Sequence, residues 1–146
     1  REMVPRLGAC GANCGIGAAD LLGALLAMVR QIDDSDILVA KSNCGIPAYV
    51  DGRIQYSGTP ELMAEYARLA LNAGARIIGG CCGTTPNHLK AMRLALESHQ
   101  KSDVPNIETV VGELGPVTEG TRARCLDTHD SPKTERVRKG RRRRGR

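Results

Sequence analysis

One stretch, Ala75 to Pro86, confines the fold more than any other part of this chain. It opens with the apolar run Ala75-Arg76-Ile77-Ile78, passes through Gly79-Gly80-Cys81-Cys82-Gly83 and ends on Thr84-Thr85-Pro86. The apolar run has the character of a buried strand. Thr followed by Pro is a helix start: the hydroxyl caps an orphan amide, and Pro is preset for the first helical position. A strand that turns directly into a helix crosses back over its sheet to reach the next strand, which makes the sheet parallel. The same unit occurs twice more. Val4 to Cys10 reads as a strand, followed by a helix from Ala18 to Gln31 with Leu22, Leu25, Leu26 and Val29 at helical spacing. Ile37-Leu38-Val39-Ala40 is a short strand, and a long loop leads from it to Thr59-Pro60. The helix begun there carries Leu62, Tyr66, Leu69, Ala70 and Ala73 on one face, with Gly74 beyond its end. The expected class is α/β, with three strand–helix units and their glycine-rich loops at the carboxyl edge of a parallel sheet.

The periodicity stops near His99. Residues 1–100 therefore read as the folded part, 101–117 as an arm or one further strand within Val104 to Val117, and 118–146 as a disordered basic tail. The net charge of +5 conceals this division: Lys133 to Arg146 holds nine Lys or Arg and one Glu, and the remainder of the chain is mildly acidic. No apolar run is long enough to span a membrane, and no export signal is visible. The six cysteines are accordingly expected to be reduced, in the cytoplasm, and the opening Arg1 suggests a processed or truncated product.

Adjacent cysteines cannot bridge each other without strain, and on a regular strand they would point to opposite faces. Both sulfurs of Cys81 and Cys82 can reach one point only where the backbone bends, which the flanking glycines permit. A third thiol, Cys14, lies in a similar setting in Gly11-Ala12-Asn13-Cys14-Gly15. Three cysteines without a fixed fourth partner suit a catalytic zinc with one open position. Cys14, Cys81 and Cys82 are therefore the expected metal ligands. Cys10 reads as a buried small hydrophobe, Cys125 as an incidental thiol in the polar tail, and Cys44 as part of a pocket wall. His88 and His99 fall on helices and are expected to be solvated, and His129 lies in the tail. A phosphate cradle at Gly79-Gly80 would not call for paired thiols, and Gly15-Ile16-Gly17 lacks the third glycine of a dinucleotide fingerprint.

Gly11-Ala12-Asn13-Cys14-Gly15 and Gly79-Gly80-Cys81-Cys82-Gly83-Thr84-Thr85-Pro86 together resemble the two zinc-cysteine motifs of the homocysteine S-methyltransferase family, a zinc-dependent (β/α)8 TIM barrel. Lys41-Ser42-Asn43-Cys44-Gly45-Ile46-Pro47 resembles that family's Asn-Ala-Gly loop, with Cys44 where a small residue is usual. Tyr49-Val50-Asp51-Gly52 and Gly58-Thr59-Pro60-Glu61-Leu62-Met63-Ala64 look most like the bacterial betaine–homocysteine methyltransferases. The resemblance spans Val4 to Leu96 and implies the C-terminal three βα units of the barrel. The first five units, with most homocysteine-binding groups and the methyl-donor pocket, lie outside it. It further implies zinc on Cys14, Cys81 and Cys82, with Asn13, Asn43, Gly80 and Gly83 around the sulfurs or substrate. The implied partners are homocysteine, as acceptor, and a methyl donor, betaine foremost, with methionine as product. Methylcobalamin and S-methylmethionine are the alternative donors, and an inactive zinc-binding fragment is the alternative state. A homo-oligomer is compatible with it. A trimethylammonium donor favours an aromatic cage, yet the chain has no Phe or Trp and three Tyr. The run Arg141 to Arg144 is not interleaved with aromatics and reads as a solvated tail rather than a nucleic-acid surface.

Overall fold

The computed structural model describes residues 8–32 and 35–127. Its elements run β1 (Ala9–Cys14), α1 (Ala18–Val29), β2 (Ile37–Ser42), β3 (Pro47–Val50), β4 (Arg53–Tyr56), α2 (Pro60–Asn72), β5 (Ile77–Gly80), α3 (Pro86–Ser98), α4 (Ile107–Leu114) and α5 (Glu119–Asp127). Strands β1, β2 and β5 form one parallel sheet in that order. The α/β alternation expected from the sequence is present, with shifted boundaries. The first strand is not Val4 to Cys10 but Ala9–Cys14, because register with β2 pairs Ala9 with Ile37 and continues to Cys14 opposite Ser42; residues 4–7 lie outside the described ones. The third strand likewise starts later, at Ile77, and runs on to Gly80. Both shifts carry strands closer to the cysteines than apolar composition alone indicated.

The helices cover one face of the sheet. Leu38, Ala40 and Ser42 of β2 are buried beneath them, beside Leu22 and Leu25 of α1 and Met63 and Tyr66 of α2. Burying one such aliphatic side chain contributes about 1.5–3 kcal/mol. The opposite face stays open: Ala9, Gly11, Asn13 and Lys41 are exposed, and Ile77 keeps 50 % of its surface. Parallel sheets normally have both faces covered.

Three segments depart from the sequence reading. The long loop before α2 contains an antiparallel hairpin, β3–β4, closed by Asp51-Gly52 with both residues at positive φ, the turn that matches strand twist. Val104 to Val117 forms neither a strand nor an arm. Asn106 caps α4 by accepting from the Thr109 amide at 2.8 Å, Gly115 ends it at φ 97, and Ile107, Val110 and Leu114 pack into the core. The segment from Thr118, expected to be disordered, is helical over Glu119–Asp127; residues 128–146 lie outside the described ones. Asp20 of α1 holds α5, its Oδ1 accepting from Thr118 N at 3.1 Å, Thr118 Oγ1 at 2.7 Å and Thr121 Oγ1 at 2.6 Å. Cys125 is consequently buried, its thiol donating to the Gly23 carbonyl at 3.3 Å, rather than an incidental tail thiol. Among the described residues, no helix is long and apolar enough to cross a membrane.

Candidate metal centre

The carboxyl ends of β1 and β5 flank that of β2, which places the two cysteine loops on either side of Asn43. Cys14 ends β1 at φ 72, an uncommon conformation for a residue with a side chain. Past Gly80 the ladder continues one step, Cys81 N donating to Ser42 O at 2.7 Å, before Cys82 and Gly83 turn away toward α3. Gly83 takes φ 75, and a Cβ there would run into the ring of Tyr56 at the end of β4. A Cβ at Gly80 would meet the side chain of Thr84. These two glycines are thus required by close approach as well as by the turn.

The result gathers three sulfurs. Cys14 Sγ lies 3.9 Å from Cys82 Sγ, Cys82 Sγ lies 3.9 Å from Cys81 Sγ, and all three fall within 4.8 Å of one another. Thiolates placed tetrahedrally about zinc, with bonds of about 2.3 Å, stand about 3.8 Å apart. The sulfur set fits that ion. Cys82 is exposed and Cys14 and Cys81 half-buried, so the group opens outward, leaving room for a further ligand.

Asn43 joins the two cysteine loops. It is buried, accepts from the Cys82 amide at 3.1 Å through Oδ1 and donates through Nδ2 to the Gly15 carbonyl. A side-chain hydrogen bond from Asn43 to Cys14 is the main cause that lowers the Cys14 thiol below its ordinary pKa, followed by the bond between Cys14 and Cys82. Cys82 shifts upward, first through hydrogen bonds to Cys14 and Cys81 and then through their charge. Like charges this close resist joint ionisation, and a cation between them removes the conflict. The Tyr56 phenol, raised first by burial and then by the neighbouring Cys82, stays protonated beside the sulfurs.

Of the residues singled out in the sequence, Cys14, Cys81, Cys82, Asn43, Gly80 and Gly83 come together here. Asn13 does not join them: it is exposed on the open sheet face, opposite Lys41 in register. Cys10 is half-buried lower on β1. Cys44, expected in a pocket wall, has no exposed surface. It is fully buried behind the Cys82 loop, donating its amide to Cys82 O at 2.9 Å and its thiol to Gly58 O at 3.2 Å.

His88, expected in solvent, is buried against Cys44, with Nε2 3.1 Å from Cys44 Sγ and 3.3 Å from Gly58 O. The Thr85 amide donates to its Nδ1 at 3.1 Å, which leaves the ring proton on Nε2, facing Cys44 and Gly58. The available signal was Thr85-x-x-His88, the spacing of a capping box with His in place of Glu or Gln. His99 is also engaged, its Nε2 2.9 Å from Asn72 Oδ1. Tyr56 carried no sequence signal for its position beside the thiols.

A family model described as homocysteine S-methyltransferase matches residues 2–96. The chain belongs to the homocysteine S-methyltransferase family. The match spans β1 to most of α3, so it contains every residue of the sulfur cluster together with Asn43, Tyr56 and His88. Helices α4 and α5 lie beyond it, packed on α1 and α2 of the methyltransferase segment.

Proposed function

We propose that this chain provides the metal centre of a zinc-dependent methyltransferase that converts homocysteine to methionine with betaine as donor. The observation that carries the reading is the sulfur triangle of Cys14, Cys81 and Cys82, with spacing suited to tetrahedral zinc and one side open. The donor rests on the resemblance of Tyr49 to Gly52 and Gly58 to Ala64 to betaine-using relatives. The sheet is read as three units of a (β/α)8 barrel. Support for this is the open face of an otherwise parallel sheet, and the two edge strands, β1 and β5, that have no outer neighbour among the described strands.

When bound, zinc supplies acidity to a substrate thiol held at its open position, so that sulfur is a thiolate near neutral pH. The chain's residues do the remainder. Cys14, Cys81 and Cys82 bind, and Asn43 fixes the spacing of their loops. The protonated Tyr56 phenol borders Cys82 without adding charge. In the transfer itself a sulfur–carbon bond forms as the donor's methyl–nitrogen bond breaks, and the electron pair leaves with nitrogen, giving a neutral amine.

The test uses intact protein purified under reducing conditions. About one zinc per chain is expected, with methionine formed from homocysteine and betaine. Cys14→Ser, Cys81→Ser and Cys82→Ser should each lose metal and turnover together. Stoichiometric zinc retained in Cys82→Ser would refute the ligand set. Turnover with S-methylmethionine or methylcobalamin but not betaine would reassign the donor, and zinc without turnover with any donor would favour the inactive-fragment reading.

A further inference from the structure

Side chains along a strand alternate between faces. On β2, Leu38, Ala40 and Ser42 lie under the helices, which assigns Ile37, Val39 and Lys41 to the open face. Lys41 is the only charged residue in β1, β2 and β5. It sits at the end of that face nearest the sulfurs. Register sets it between Asn13 and Gly79, one step before the level at which Cys14 pairs with Ser42. The lysine stem passes over Gly79, its Cγ and Cε 3.7 and 4.0 Å from where a Cβ on that residue would stand. Ion pairs among the described residues include Arg68 with Glu65, Arg93 with Glu97 and Arg122 with Glu108, and Lys41 takes part in none of these. The face below it is apolar or small, with Ile37, Val39, Ile77, Ala9 and Gly11.

We propose that Lys41 binds the carboxylate of a substrate whose reacting atom lies at the three thiols. The inference rests on the methyl-transfer reading above. Homocysteine and betaine each carry a carboxylate a few bonds from the sulfur or methyl group that reacts, so either can present it to an ammonium beside the site. Covering the open face lowers the local dielectric and strengthens such a pair relative to the same pair in water. The lysine thereby selects amino-acid-like substrates over neutral thiols and amines.

The experiment is calorimetric titration of the intact, zinc-loaded protein with L-homocysteine and with 3-aminopropane-1-thiol, which differs by lacking the carboxylate. Wild type should prefer homocysteine by about 10- to 100-fold, the range for a hydrogen bond between charged groups. Lys41→Met should abolish that preference while binding 3-aminopropane-1-thiol as before, which shows that fold and metal survive. Lys41→Arg should retain most of the preference. If the preference survives in Lys41→Met but the KM for betaine rises about tenfold, the carboxylate recognised is the donor's. An unchanged preference together with an unchanged betaine KM would overturn the role of Lys41 alone. Failure of wild type to bind either thiol would overturn the methyl-transfer reading and this inference with it.

Discussion

Replacing Asn43 by Ala tests whether one buried amide sets the geometry of the sulfur cluster. Asn43 is 4 % exposed and, besides its bond to Cys14, accepts from the Cys82 amide and donates to the Gly15 carbonyl. Removing its side chain strands a backbone donor in one cysteine loop and an acceptor in the other. An unsatisfied buried group costs about 1–3 kcal/mol. Gly15 and Cys82 are exposed residues, so water replaces part of each bond and the lower end of the range applies. The sum is about 2–3 kcal/mol, or about 30- to 150-fold in an equilibrium constant. That agrees with the loss of about 10- to 100-fold in metal affinity when a partner of the ligands is removed. The assay is zinc competition against a chromophoric chelator under reducing conditions, with Asn13→Ala as comparator. Asn13 is exposed and does not join the two loops, so its variant should bind zinc as wild type does. An Asn43→Ala protein within about threefold of wild type would refute the argument, as would an equal loss in Asn13→Ala.

Gly83→Ala should lower Tm and weaken zinc binding, since φ 75 costs an alanine about 1 kcal/mol and its Cβ meets the Tyr56 ring; adding Tyr56→Ala should recover only part of the steric cost, because the Tyr56 Cβ would still lie 2.7 Å away, and none of the conformational cost. His88→Ala removes the acceptor of the Thr85 amide and a neighbour of the Cys44 sulfur; Thr85 is exposed and the Cys44 thiol keeps its bond to Gly58 O, so chemical denaturation should show about 1–2 kcal/mol lost. His88→Gln should recover part of this by again accepting from the Thr85 amide, and equal stability of the two variants would remove the cap from the account. In metal-free protein iodoacetamide should label Cys14 faster than Cys82, because the Cys14 pKa is lowered and that of Cys82 raised; the Cys14 rate should fall as pH drops through its folded pKa and thiolate is lost. Mass spectrometry should find Cys44 and Cys125 labelled last, given their burial.

Much of this protein was decided locally. The two Thr-Pro starts, the helical stripes and the short apolar runs specify strand–helix units, because each depends on neighbours within a few residues. The three thiols were legible for the same reason: glycine-rich turns after strands place side chains at the carboxyl edge whatever the rest of the chain does. Helix α4 was harder to see, since eight residues with adjacent valines at 110 and 111 resemble a strand, and its cap at Asn106 is a single side chain. Helix α5 has almost no apolar face of its own and depends on Asp20, about a hundred residues earlier.

Partner choice within the site was not local. Asn13 adjoins Cys14 in sequence, yet Asn43 bonds the cysteine loops, across 39 residues to Cys82 and 28 to Gly15. His88 belongs to an exposed-looking helix start until packing sets it 3.1 Å from Cys44, 44 residues away. Tyr56 reaches the thiols only because a hairpin turns at Asp51-Gly52 and returns its last residue against Gly83. By itself the sequence determined which backbone segments end beside one another, through period and turn chemistry. Only the tertiary structure decided which side chains meet there, because sheet register and helix packing bring together atoms that no local pattern relates.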